Sequence, residues 1–175
     1  AFIVEWYGHE PSAEQSYETA GLQGLLDKAA ELNETLEHIG FEFHIIVGFN
    51  DSSETSLDEK MEFLGAEIFP HVGYYGTVKG ISRPLFVYHD KHTAPELREA
   101  ADRYLPDDRL LVWNEGYDLS VFDHMDLLYP WVQPMNKDWQ TDGSKWGDEY
   151  LDFEYENMNI ANVYFAIGAA WPGFD

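Results

Sequence analysis

Phe41-Glu-Phe-His-Ile-Ile-Val-Gly-Phe-Asn50, a polar segment with a helix-start signal, and then Arg83-Pro-Leu-Phe-Val-Tyr-His-Asp90 form the stretch that decides the fold. Each flank is a near-continuous apolar run that ends on polar or small residues, Gly48 to Asp51 in the first and His89 with Asp90 in the second. Strands of a parallel sheet read this way, because helices cover both of their faces. Between the runs, Ser56 followed three residues later by Glu59 is a capping-box signature. Leu57, Met61, Leu64 and Ile68 then share one helical face. The stretch is strand, helix, strand, with a Gly- and Tyr-rich connection over residues 70–82.

The same unit recurs on either side. Phe2 to Tyr7 reads as a first strand, broken by Gly8, His9 and Pro11. Leu22, Leu25, Leu26, Ala29, Leu32, Leu36 and Ile39 make a helical stripe, Gly40 takes the C-terminal cap, and strand two starts at Phe41. Downstream, Thr93 and Glu96 make a second capping box around Pro95. Leu97, Ala100, Ala101 and Tyr104 face inward, and Pro106 stops that helix. Leu110 to Trp113 is strand four, and Leu127 to Tyr129 a short strand five. A loop rich in Trp, Asp and Gly over 134–147, a helix near 148–159 and a strand at Val163 to Ala169 complete the pattern.

This alternation specifies an α/β fold with a parallel sheet and right-handed crossovers. A (β/α)8, TIM-barrel-like arrangement and an open doubly wound sheet both satisfy it. No Gly-rich phosphate loop follows the first strand, which argues against the nucleotide-binding sheet. About six strands fall short of the eight of a closed barrel. The expectation is one partial barrel domain over residues 1–175, cut from a longer protein, since the chain opens and closes on strands.

The chain carries 33 acidic against 10 basic residues, a net charge of −23 that repels nucleic-acid phosphates and anionic lipid. Neither nucleic acid nor membrane is an expected partner, and no apolar run nears the roughly 20 residues of a membrane span. Acidic residues spread evenly along the chain, with few lysines, suggest a high-salt habitat. There is no cysteine, which excludes disulfides and thiolate ligands. The seven histidines show no zinc-ligand spacing, so neither metal nor other cofactor is expected.

Binding and catalytic groups of β/α folds collect at the carboxyl ends of the strands. The polar residues placed there are Glu5 with Trp6 and Tyr7, His44 and Asn50, His89 and Asp90, Asn114 and Glu115 beside Trp113, and Asp175 with Trp171. Carboxylates among Trp and Tyr suit a sugar: aromatic faces stack on the pyranose C–H face, and carboxylates accept its hydroxyls. Two carboxyl groups flanking a glycosidic bond serve as acid and as base or nucleophile. Glu115 and Glu5 are the catalytic candidates, and Trp6, Tyr7, His44, Asp90, Trp113, Asn114 and Trp171 the substrate-binding ones. Each has a structural counterpart: an ion pair of Glu5 with Arg83 or Arg109, a polar turn at Asp90, a core imidazole at His44, core packing for the tryptophans.

Phe43-His-Ile45, the Tyr-Tyr-Gly76 and Val78-Lys-Gly80 connection and Arg83-Pro-Leu-Phe-Val-Tyr88 together resemble the glycoside hydrolase family 99 group and its family 71-like relatives. Phe2-Ile-Val-Glu-Trp-Tyr-Gly8 resembles the preceding strand of that group, and Ala170-Trp-Pro-Gly-Phe-Asp175 its Pro-Gly-Phe-Asp stretch. The resemblance implies a glycosidase-type barrel, a carbohydrate substrate and an extracellular setting. Ile46 and Phe49 occupy the positions of the family's Glu pair, and Ile81 and Ser82 are inserted in its Gly-Arg-Pro turn. The family's catalytic pair therefore does not carry over. The expectation is a glycoside hydrolase-like protein that uses other carboxylates; the alternatives are an inactive carbohydrate-binding relative and a structural or assembly protein.

Overall fold

The computed structural model describes residues 1–6, 8, 16–50, 55–88, 91–113, 119–128, 152 and 155–157. The apolar runs form strands β1 (Phe2–Trp6), β2 (Ile45–Asn50), β3 (Arg83–Tyr88), β4 (Arg109–Trp113) and β5 (Leu127–Leu128). Between them lie helices α1 (Ser16–Leu36), α2 (Leu57–Phe63) and α3 (Ala94–Tyr104). All neighbouring strands are parallel, in the order β1-β2-β3-β4-β5. Each strand thus sits beside the next one in sequence, and the described order never reverses as a doubly wound sheet requires.

Side chains alternate between the faces of a strand. Val47 and Phe49, Leu85 and Val87, Leu111 and Trp113, with Leu128, share one face and one core with Leu22, Leu26, Met61, Leu64, Leu97 and Ala101 of the helical layer. Ile3, Glu5, Ile46, Gly48, Asn50, Phe86 and Val112 occupy the alternate positions, on the opposite face. The helix-facing row is almost uniformly apolar; the other mixes apolar, acidic and amide side chains with a glycine.

Local signals set the helix starts. Glu59 Oε2 accepts from the Ser56 N–H at 3.1 Å, and Ser56 Oγ accepts from the Glu59 N–H at 3.3 Å, closing the capping box of α2. Glu96 Oε2 accepts from the Thr93 N–H at 2.8 Å ahead of α3, with Pro95 in the first turn. After α2 the chain makes a π-helical turn, Leu64–Ile68, in which Gly65 lies against the end of α3. A Cβ at Gly65 would stand 2.1 Å from the Tyr104 carbonyl oxygen, so this approach requires glycine.

Several features differ from the sequence expectation. Strand two begins at Ile45, not Phe41, because Phe43 bonds elsewhere: its N–H donates to Asn33 Oδ1 at 2.5 Å, and its C=O accepts from Asn33 Nδ2 at 2.7 Å. The stripe of α1 is narrower than its apolar spacing, since Leu25 is 45% exposed and Ile39, in a closing 3-10 turn, 64%. Gly40 does cap that turn, with φ of 70°. A 3-10 segment at Leu119–Asp123 precedes β5. The expected loop at 134–147 and the strand at Val163 to Ala169 lie outside the described residues, as does most of the helix near 148–159.

The connection over 70–82 is anchored by Tyr74. Its ring is fully buried, stacked on Phe69 at 4.8 Å. Its hydroxyl donates to the Pro84 C=O at 2.6 Å and accepts from the Val47 N–H at 3.4 Å. Val47 pairs with Leu85 in the β2–β3 ladder, so the phenol stands where a direct Val47-to-Pro84 bond would fall. Burial pushes the phenol above its ordinary pKa, so it stays protonated and able to donate.

Tyr74→Phe leaves a buried N–H and a buried C=O without that partner, and the expected loss is about 1–3 kcal/mol by urea denaturation. The caps make stability pH-dependent. The Ser56 hydroxyl and amide hold the Glu59 carboxyl below its usual value, and the Thr93 amide and hydroxyl do the same for Glu96. Because folding lowers both values, the stabilisation is complete above the unfolded carboxylate pKa of about 4.3 and is lost as pH falls through the folded ones. The E59Q/E96Q variant should unfold at lower urea than wild type near pH 6, and the gap should close near pH 3.

Candidate functional site

Glu5 is the candidate catalytic residue that the described structure contains. It is the fourth residue of β1, near the carboxyl end, exposed, and on the face opposite the helical core. Its register partner on β2 is Gly48, so no side chain rises beside it on that strand. Asn50 lies two residues beyond Gly48 on the same face, and its Oδ1 has no hydrogen-bond partner among the described residues. The next side chains along this row are Phe86 on β3 and Val112 on β4. A carboxylate, an amide oxygen and an aromatic ring therefore share one face around a gap left by glycine.

Glu5 is not paired with Arg83 or Arg109. Arg83 donates from Nε and Nη2 to Asp108, at 2.9 and 2.5 Å, and Arg109 pairs with Asp102. Both arginines are at the opposite ends of their strands from the level of Glu5.

Trp6 and Trp113 are core residues in this structure. Consecutive strand residues face opposite ways, so Trp6 cannot share the face of Glu5. Its indole is fully buried, 5.6 Å from the Phe63 ring and 6.0 Å from Phe49, with Nε1 donating to Thr19 Oγ1 at 3.4 Å. Trp113, 6% exposed, belongs to the same cluster. Neither ring offers a free face for a pyranose.

His44 was expected at a carboxyl end and is instead at the other. It precedes Ile45, the first residue of β2, because the ladder starts later than the apolar run. It is 8% exposed, edge-on to Tyr75 at 5.8 Å, with Nε2 3.4 Å from Glu42 Oε2. Tyr7, Asp90, Asn114, Glu115 and Trp171 lie outside the described residues. The described site thus gathers Glu5 with Asn50 and Gly48 and separates Trp6, Trp113 and His44 from it. Asn50 carries a readable signal, an amide at the end of an apolar strand, whereas the role of Gly48 emerges only from the register.

Trp6→Ala should cost about 3–5 kcal/mol in urea denaturation, as for other buried aromatic truncations. Glu5→Gln, at an exposed position, should stay within about 0.5 kcal/mol. Such a contrast separates the buried tryptophan from the exposed carboxylate.

Comparison with protein-family models, with curated proteins and with solved structures gave no match to this chain.

Proposed function

We propose that this chain is a glycoside hydrolase-like protein, a partial (β/α)8 barrel that cleaves a glycosidic bond in a glycan or polysaccharide. The observation that carries the reading is Glu5: an exposed carboxylate near the carboxyl end of a parallel strand, on the face opposite the described helices, with Gly48 beside it. Its support is topological as well. Parallel strands that add in sequence order, with helices between them, follow the winding of a β/α barrel, whose active site lies at the carboxyl ends. Glu115 follows β4 by two residues in sequence and is the second carboxylate of the proposal. It serves as general acid or base, and Glu5 is its partner. A separation of about 5–5.5 Å between the two carboxyls would give retention, and about 6.5–9.5 Å inversion.

One observation favours a second reading, a carbohydrate-binding relative without hydrolysis. Of the two positions that hold the resembled family's Glu pair, Phe49 points into the helical core and is fully buried. That position has no access to a substrate here.

Turnover on a glycan panel distinguishes the two. For the hydrolase, Glu115→Gln and Glu5→Gln each lower kcat by about 10²–10⁴-fold, the range of a lost acid–base group. Unchanged urea midpoints would assign that loss to chemistry. Saturable glycan binding with no hydrolysis in any form overturns the enzyme reading in favour of the binding protein.

A further inference from the structure

At the opposite end of the strands from Glu5, the start of β2, the end of α1 and the 70–82 connection enclose a cavity of about 370 Å³. That volume is in the range of small-molecule sites. Its apolar wall includes Phe41, Val72 and Val78, which are 54%, 53% and 68% exposed. Three large apolar side chains open to solvent around one concavity suit the apolar body of a ligand.

The polar groups of the wall decide the charge of that ligand. Asn33 is used at both ends by the Phe43 backbone. Lys79 Nζ is 2.5 Å from Glu42 Oε2, and His44 Nε2 approaches the same oxygen. The Lys79 ammonium, with a smaller contribution from His44, holds the Glu42 carboxyl below its usual range. The buried His44 Nδ1 has no hydrogen-bond partner among the described residues. Nor do the Glu34 and Glu37 side chains, both exposed on this wall, make a hydrogen bond or ion pair among those residues. Among the described residues the one ammonium of the wall is paired with Glu42, and the charges left without a partner there, Glu34 and Glu37, are both negative.

We propose that this cavity binds a small organic cation, an ammonium or guanidinium group on an apolar or aromatic body. Glu34 and Glu37 receive the charge, Phe41, Val72 and Val78 take the body, and His44 is part of the wall. The site is separate from Glu5 and does not depend on the glycosidase reading.

Titration calorimetry with phenethylammonium, 3-phenylpropionate and ethylammonium tests it. Saturable binding is expected for phenethylammonium, at least about tenfold weaker binding for ethylammonium, and none for the anion. E34Q/E37Q should weaken phenethylammonium binding by about tenfold or more, by removing two carboxylates at short range. E62Q/E67Q, which removes the same charge from exposed positions away from the cavity, should change it less than about twofold. Absence of saturable phenethylammonium binding, equal binding of the anion, or equal weakening by both variants overturns the proposal.

Discussion

One phenolic oxygen bridges β2 and β3 at the start of their ladder. The Tyr74 hydroxyl between the Val47 N–H and the Pro84 C=O occupies a rung of the ladder while its ring fills the core beneath. Proline brings no N–H of its own to the start of β3, so the first rungs there depend on acceptors and on the phenol. Through that contact the connection over 70–82 becomes part of the sheet, with Ile45 donating to the Gly73 C=O and Tyr75 donating to the Ile45 C=O. The Val47–Leu85 register follows, and with it the placement of Gly48 beside Phe86 and of Asn50 beside Tyr88.

The period of two along each strand then divides the molecule's tasks. One row, from Val47 to Trp113, is given to packing against α1, α2 and α3, while the alternate row holds Glu5, Gly48 and Asn50. The few basic residues follow a comparable division. Arg103 ties α3 to Asp58 of α2, Arg98 ties α3 to Asp126 before β5, and Arg83 ties β3 to Asp108 before β4. Partly exposed pairs of this kind contribute little individually. In a chain of −23 they also neutralise carboxylates between elements that must come together.

What could be read from the sequence follows from the range of the forces involved. The capping boxes at Ser56–Glu59 and Thr93–Glu96 are visible in four residues because the bonds span four residues. The helix–strand alternation is visible because periodicity records burial. The start of β2 is hidden, since the apolar Phe41–Phe43 segment is drawn out of the ladder by Asn33, a tertiary contact with no local signature. His44 moves to the other end of the sheet for the same reason. The separation of Trp6 from Glu5 is implicit in the period of two, and grouping residues by their nearness to a strand end overlooks it. Nothing in Tyr74-Tyr75 tells which tyrosine enters the core.

The strand order has a kinetic meaning as well. Because every described pairing joins strands consecutive in sequence, each ladder closes one loop around one crossover rather than spanning the chain. Loop-closure entropy rises only slowly with length, but each parallel pairing here still spans a whole crossover and forms more slowly than contacts within a helix. A sheet of this kind can grow outward from β2 and β3 in both directions, one strand at a time.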